Sequence, residues 1–352
     1  MRIHWFGSSL VSSYWNGAAT YYRGLIRALH ARGHRVVFYE PDAYDRQAHR
    51  DLEVVEWAEV VVYRPEEWET TLESARGADV VVKASGVGVL DAELEAGVLE
   101  LGAPLTVFWD VDAPATLARL EADAGDPLRG LIPRYDLVLT YGGGRPVVER
   151  YRSLGAGECV PVYNALDPHT HHPVPPDVRF RADLGFLGNR LPDREARVEE
   201  LFLRAAREAP ERSFLLGGSG WDRRDLPANV RLLGHVGTAE HNAFNATPLA
   251  VLNVTRASMA ANGWSPPTRV FEAAGAGACL ITDAWQGIEL FLEPEAEVLV
   301  AHDGGDVAGR LAELTPERAR EIGRRARRRV LAEHTYDRRA AQVERVLGLV
   351  PA

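Results

Sequence analysis

The feature that most constrains this chain is a repeated alternation of short apolar runs with amphipathic stretches. Arg2 to Phe6 reads as an apolar strand, and a Gly/Ser/Asn loop runs from Gly7 to Gly17. The segment ATYYRGLIRALHARG follows, with Tyr22, Leu25, Ile26 and Leu29 on one helical face. Gly33 ends that helix and RVVFYE is the next strand. Further strands are expected at Val60 to Tyr63, Asp79 to Lys83, Leu105 to Trp109 and Leu137 to Thr140. Nearly continuous apolar strands separated by helices predict a parallel sheet covered on both faces.

The alternation is interrupted once, near Asp167 to Arg181, by DPHTHHPVPPDVRF. Prolines there disfavour helix and lack the donors that a sheet interior needs. The pattern then restarts. ADLGFLG is a strand and loop, Ala196 to Ala209 a helix, and SFLLGG, VRLLG, LAVLNVT, ACLITD and EVLVA are strands. The organisation expected is a first Rossmann-like domain over 1–170, a linker over 171–182 and a second Rossmann-like domain over 183–335. A C-terminal helix over 336–352 would pack back toward the first domain. The fold class is α/β, with two parallel-sheet domains facing a central cleft. At 352 residues the chain has length for two such cores.

Composition narrows the function. Charged residues make up 26% and the net charge is -10, which argues against a nucleic-acid binder that must release phosphate counterions. Arginine carries nearly all the positive charge, Lys83 being the single lysine. The Arg-rich stretch Arg318 to Arg329, within a helical run from Pro316 to Leu349, reads as a solvated helix face. Cys159 and Cys279 are far apart in apolar settings and read as buried small hydrophobes. MRIHWFGSS reads as a strand rather than a signal peptide, and no apolar run reaches membrane-spanning length. A cytoplasmic location is the expectation.

In open parallel sheets, ligands bind beyond the carboxyl ends of the strands, so the loops there are the places to search. The first loop, GSSLVSSYWNG, lacks the Gly-x-Gly-x-x-Gly of a dinucleotide site. Asn16 and Gly17 precede a helix, where free N–H groups and the dipole attract anions. In VFWDVDAPATL, Asp110 and Asp112 follow a strand as a candidate base or holder of hydroxyls, unless one of them caps the helix. Gly142 to Gly144 read chiefly as a structural turn.

Four further sets lie in the second half. Gly188 and Asn189 end a strand, and Arg190 and Arg194 follow, suited to pair with a diphosphate. His235 and Val236 offer backbone groups to a nucleobase edge, while His241 is expected on the outer face of the next helix. His169, His171 and His172 cluster without a carboxylate partner in sequence, so no metal site is expected. In NGWSPPTRVFEAAGAGACLITD, Ser265 is the expected N-cap, with Pro266 and Pro267 in the first helical positions and Thr268 after them. Arg269 and Glu272 lie three apart on one face, as a phosphate neutraliser and a ribose acceptor or as an internal ion pair.

GSSLVSSYWNGAATYYRGL, FWDVDAPATL, IPRYDLVLTYGGG, DLGFLGN, LNVTRASM and SPPTRVFEAAGAGACLITD together resemble GT-B glycosyltransferases. More narrowly they resemble the spore-maturation CgeB-like group. The resemblance implies a nucleotide-sugar donor held by the second domain, an acceptor on the first, and metal-independent transfer without a cofactor. It also matches Glu272 to the second glutamate of the paired-glutamate motif of related retaining enzymes. Where the first glutamate would stand, this chain has Trp264, a residue suited to stack on a base or sugar.

The function expected is transfer of a sugar from a nucleotide-sugar, UDP-sugar favoured, to an unidentified glycan, protein or small-molecule acceptor, with retention. The expected catalytic groups are Asp110, Asp112 and Arg269. Sugar-nucleotide epimerisation and a non-catalytic nucleotide- or sugar-binding module are the alternatives. No metal, no nucleic-acid partner and no transmembrane segment are expected.

Overall fold

The computed structural model describes residues 1–14 and 16–348. Trp15 of the first loop and residues 349–352 of the expected C-terminal helix lie outside the described residues. The chain forms two compact units, Met1–Asn164 with Tyr336–Ala352, and Ala165–Thr335.

The first unit holds β1 (Arg2–Phe6), β2 (Arg35–Pro41), β3 (Glu59–Tyr63), β4 (Val80–Ala84), β5 (Leu105–Asp110), β6 (Leu137–Thr140) and β7 (Cys159–Pro161). They form a parallel sheet in the order β3-β2-β1-β4-β5-β6-β7. The apolar runs expected as strands are those strands. β7 was not anticipated, because CVP is too short and its proline too unlike an interior strand to show a period. As the last strand in the order it sits at the sheet edge, where proline is tolerated. Every residue of β4 is buried, Lys83 included. Its ammonium donates to Asp91 Oδ1 at 2.7 Å and to the Ala84 carbonyl at 2.7 Å, which offsets its desolvation.

The second unit holds β8 (Leu184–Leu187), β9 (Phe214–Gly217), β10 (Val230–Gly234), β11 (Ala250–Asn253), β12 (Leu280–Asp283) and β13 (Leu299–Ala301). They are also parallel, in the order β10-β9-β8-β11-β12-β13. Phe186, Phe202, Phe214, Leu252, Ile281 and Leu311 centre its core on one face of the sheet. In each unit the strand order reverses beside the first strand, between β1 and β4 and between β8 and β11. Those reversals make the loops after β8 and β11 the favoured ligand position in the second unit.

Two expectations about boundaries change. The division falls between Asn164 and Ala165, ahead of residue 170, and the proline-rich stretch 171–182 belongs to the second unit. That stretch is tied down: His172 N donates to Asn242 Oδ1 at 3.3 Å, Asn242 Nδ2 to the Thr170 carbonyl at 2.9 Å, and Asp177 N to Thr247 Oγ1 at 3.0 Å. Leu166 and the His171 carbonyl also pack so close to Gly275 that a side chain there would collide.

The helical run from Pro316 is likewise two helices, Pro316–Glu333 and Tyr336–Val346. The break occurs because Thr335 bridges to Leu166, whose N–H donates to the His334 carbonyl at 2.8 Å. The second helix packs in the first unit on the helix Ala19–Ala31, with the Tyr336 ring against Gly24 and Glu344 paired to Arg32 at 2.6 Å. Among the described residues, no helix is long and apolar enough to cross a membrane.

Candidate functional site

The helix Thr268–Gly275 connects β11 to β12, so its start lies at the carboxyl end of the second sheet. It begins later than the sequence suggests. Each proline pushes the residue before it toward extended geometry, so Ser265 and Pro266 do not join the helix. Pro267 is the capping residue, with ψ 150, and has no side-chain acceptor to offer. Ser265 is therefore not the N-cap; its Oγ donates to the Gly263 carbonyl at 2.9 Å. The expected placement of Pro266 and Pro267 inside the first turn is corrected in the same way.

Arg269 and Glu272 sit on the first turns of this helix, with Arg269 Nη1 at 3.6 Å from Glu272 Oε2. Arg194 comes from the helix Pro192–Val198 just after β8, and its Nη2 donates to the Asn189 carbonyl at 2.7 Å. A Cβ at Gly188 would stand 2.9 Å from Arg194 Nη2, so glycine there lets the guanidinium lie against the strand end. Asn189 Oδ1 accepts from Ser219 N at 3.0 Å, which fixes the loop. Arg194 Nε and Arg269 Nη1 are buried without a hydrogen-bond partner among the described residues. Burial, then the like charge of Arg269, lowers the pKa of Arg194. The two cations are thus neighbours with donor capacity unspent, a pattern that suits an anion.

Glu272 is 8% exposed. Burial favours its neutral form, but the charges of Arg269, His171 and His241, with a hydrogen bond from Thr268, hold its carboxyl below its ordinary value. Two histidines here correct the sequence reading. His241 is not on the outer face of its helix: its ring lies beside Glu272 and His171, with a ligand atom of each within 4.8 Å of the others. Burial, then the Arg269 charge, lowers its pKa. His171 does have a carboxylate partner, with Nε2 at 4.0 Å from Glu272 Oε1. The signal for His241 was Phe244, fully buried three residues on and hence on the same helical face. For His171 the sequence offers none, because its contact spans from 171 to 272.

The remaining candidates divide. His235 is exposed, whereas Val236 is buried in a small apolar cluster and its backbone bonds the His241 ring. Trp264 has φ 41, donates its N–H to the Gln286 carbonyl at 2.6 Å, and lies half-buried against Gly287.

In the first unit, Asn16 is buried and its side chain is spent within the loop. It donates to the carbonyls of Ser9 and Ser12 at 2.8 and 3.1 Å, and accepts from Ser8 Oγ at 3.0 Å. Its own N–H donates to the Ser13 carbonyl at 3.2 Å rather than standing free for an anion, so Asn16 clasps the loop, and Gly17 makes the turn into the helix. Asp110 is corrected in the same sense. It is fully buried and accepts from Ser85 Oγ at 2.7 Å, Thr116 Oγ1 at 3.0 Å, the Asp112 amide at 3.0 Å and the Tyr151 hydroxyl. A carboxylate so enclosed has no face for a substrate. Asp112 is half-buried at the start of the helix Ala113–Ala122. The glycine turn serves structure: Gly143 has φ 90 and a side chain there would strike Val147, while the helix it opens delivers Tyr151 to Asp110.

Residues 194–345 match the model of a family described as glycosyl transferase-like, which takes in Arg194, Arg269 and Glu272. No curated protein matches the chain in sequence. Among solved structures, sucrose-phosphate synthase from Thermosynechococcus elongatus is 15% identical with a TM-score of 0.72, over 99% of this chain and 98% of that one. HepE from Anabaena, solved with UDP and glucose, is 13% identical with a TM-score of 0.69, over 99% of this chain and 100% of that one. The T4 phage BGT, solved with its UDP-glucose substrate, is 9% identical with a TM-score of 0.64, over 100% of both chains. At these identities the likeness shows the fold: two parallel-sheet Rossmann-like domains of the GT-B glycosyltransferase type, with seven and six strands.

Proposed function

We propose that this protein transfers a sugar from a nucleotide-sugar donor, a UDP-sugar, to an acceptor hydroxyl or amine. The observation that carries the reading is the pair Arg194 and Arg269, close together, part-buried and with N–H groups unspent, at the start of the helix that bears Glu272. As the glycosidic bond breaks, negative charge grows on the departing diphosphate. Donors already fixed around that charge stabilise it without reorganisation, commonly the largest catalytic term. The arginines and the first N–H groups of the helix fill that role, so transfer needs no metal. Glu272, held ionised, accepts hydrogen bonds from the ribose hydroxyls, and the backbone at Val236 faces the base. Asp112 is the acceptor-side carboxylate, since Asp110 is enclosed. Retention is the course that goes with the position of Glu272, and the quoted motifs favour the CgeB-like group.

UDP as the nucleotude carrier is favoured by the ligands of HepE and the T4 phage BGT. Calorimetry with UDP, GDP and dTDP tests the reading. UDP should bind with the highest affinity, and Glu272→Ala should weaken it at least ~10-fold, the loss of one or two hydrogen bonds to a charged group. UDP affinity unchanged in that variant would remove the donor from this site. Release of UDP from a UDP-sugar only when an acceptor is present, without an epimer forming from donor alone, completes the test. The anomeric configuration of the product, read by NMR, tests retention.

A further inference from the structure

Beside Glu272 stand two histidines that transfer chemistry does not use, and the three side chains form a possible ligand set. His171 comes from the proline-rich stretch, His241 from the helix His241–Ala246, and Glu272 from the helix Thr268–Gly275. One ligand atom from each falls within 4.8 Å of the other two. A tetrahedral Zn2+ with ligands at 2.0–2.1 Å holds them about 3.3 Å apart. Closing the set requires the ligand atoms to approach one another by up to about 1.5 Å. Two imidazoles and one carboxylate are a known type of three-ligand zinc set, with a fourth position open.

The orientation of both rings supplies a second, independent argument. Thr170 Oγ1 donates to the Asp167 carbonyl at 3.2 Å, so its proton is committed. It lies 2.9 Å from His171 Nδ1, and in the tautomer with the proton on Nδ1 the ring donates to it. In that tautomer the lone pair is on Nε2, the atom that lies 4.0 Å from Glu272 Oε1 and that a cation there would use. His241 is anchored in the same manner, through a bond from its ring to the Val236 backbone. Metal-binding histidines are held this way, one nitrogen donating to an outer partner and the other turned to the ion.

We propose that His171, His241 and Glu272 form a site for a divalent cation of the Zn2+ class, and that its occupancy excludes the nucleotide-sugar donor. The exclusion rests on the donor reading above. A cation on Glu272 withdraws the lone pairs that would accept from ribose. Arg269, on the other oxygen of Glu272 at 3.6 Å, repels the cation and attracts the diphosphate. The same charge thus favours one ligand over the other, and the two bind in competition.

The metal-free protein, titrated with Zn2+ and with Co2+ as a spectroscopic stand-in, tests the site without nucleotide. One equivalent should bind, with the strong visible absorption of tetrahedral Co2+. His171→Ala and His241→Ala should each weaken binding at least ~10-fold, while His169→Ala, an exposed neighbour, should leave it unchanged. Thermal unfolding of each variant without metal separates lost ligands from lost folding. Arg269→Gln should tighten Zn2+ binding and weaken UDP binding, opposite signs that a merely structural role would not give. With Zn2+ at ten times its dissociation constant, the apparent affinity of UDP should fall about 10-fold in the parent and not in His171→Ala. Zn2+ binding that is absent, or equal in the parent and both histidine variants, overturns the site. Histidine-dependent Zn2+ binding with UDP affinity indifferent to it overturns the exclusion. UDP failing to bind at all, with Zn2+ still bound through the histidines, removes the donor reading and leaves the metal site standing.

Discussion

Asp110 and Glu272 are both buried carboxylates near the carboxyl ends of parallel sheets, yet they are built to opposite ends. Asp110 collects donors from Ser85, Thr116, Tyr151 and its own loop, all within hydrogen-bond reach. Glu272 faces the Arg269 guanidinium at 3.6 Å and the His171 ring at 4.0 Å, and the arginines around it keep buried N–H groups unspent among the described residues. The first arrangement closes on itself and the second stays open. A buried polar group without a partner costs stability, so one that persists beside others of its kind marks where a ligand completes the network. The comparison teaches that residue type selects candidates, while satisfaction decides among them.

The largest expected effect comes from breaking the closed arrangement. Asp110→Ala leaves two hydroxyls, a phenol and an amide without their acceptor and opens a small void. It should cost about 3–5 kcal/mol of stability. UDP affinity, measured by calorimetry at a temperature where the variant is folded, should stay within about 2-fold of the parent. A variant of parent-like stability that loses transfer alone would return Asp110 to the catalytic groups.

Breaking the open arrangement should do the reverse. Arg269→Ala removes a cation that Arg194 repels and Glu272 attracts; the two effects oppose, so the folded state loses little. UDP affinity should fall by about 10- to 100-fold, some 1.5–3 kcal/mol for hydrogen bonds to a charged ligand. Equal losses of stability and affinity would make the pair Arg269 and Glu272 an internal ion pair, the plainer reading of their spacing.

How far this contrast was legible follows from the range of the interactions. The strands were legible because parallel, doubly covered strands such as VVVKA are apolar along their whole length. The helix break at Thr335 was not, since it depends on a bridge to Leu166. The segment from Ser265 to Glu272 stood out by its prolines and its Arg–Glu spacing, but its cap was misjudged: local propensity favours serine, and the two prolines override it. Asp110 looked like Asp112 in sequence, because the residues that enclose it arrive from 85, 116 and 151. His171 and His241 were set aside for the same reason, their shared partner lying at 272. Short-range chemistry was readable, and its completion by distant chain was not.

Glu95 probes the comparison from within the first unit. It is 3% exposed, and the cation paired with it, Arg119, stands 3.8 Å away. Burial first, against the pull of Lys83, raises its pKa from 4.5 to about 7. The folded state therefore holds a proton that the unfolded chain has released, and its contribution is full below pH 4.5 and lost as pH rises toward 7. Glu95→Gln should stabilise the protein at pH 8 by about 2 kcal/mol and flatten this part of the stability profile. UDP binding should not change. A loss of UDP affinity in Glu95→Gln would make the open carboxylate of the first unit part of the ligand site as well.

The smallest effect sharpens the contrast inside the second unit. The helix Pro316–Glu333 is closed at its start, where Thr315 Oγ1 accepts from Arg318 N at 3.2 Å. The helix Thr268–Gly275 starts on Pro267, whose ring can accept nothing. Pro267→Ser installs an acceptor for the N–H groups of the first turn. Capping should add ~0.5–1 kcal/mol, and loss of the rigid proline should remove ~0.4–1 kcal/mol, so thermal stability should barely move. UDP affinity should nonetheless fall a few-fold, because the new hydroxyl competes with the diphosphate for the same N–H groups. Unchanged affinity would mean that the diphosphate is held by Arg194 and Arg269 alone, and that the open start of this helix is a by-product of its two prolines.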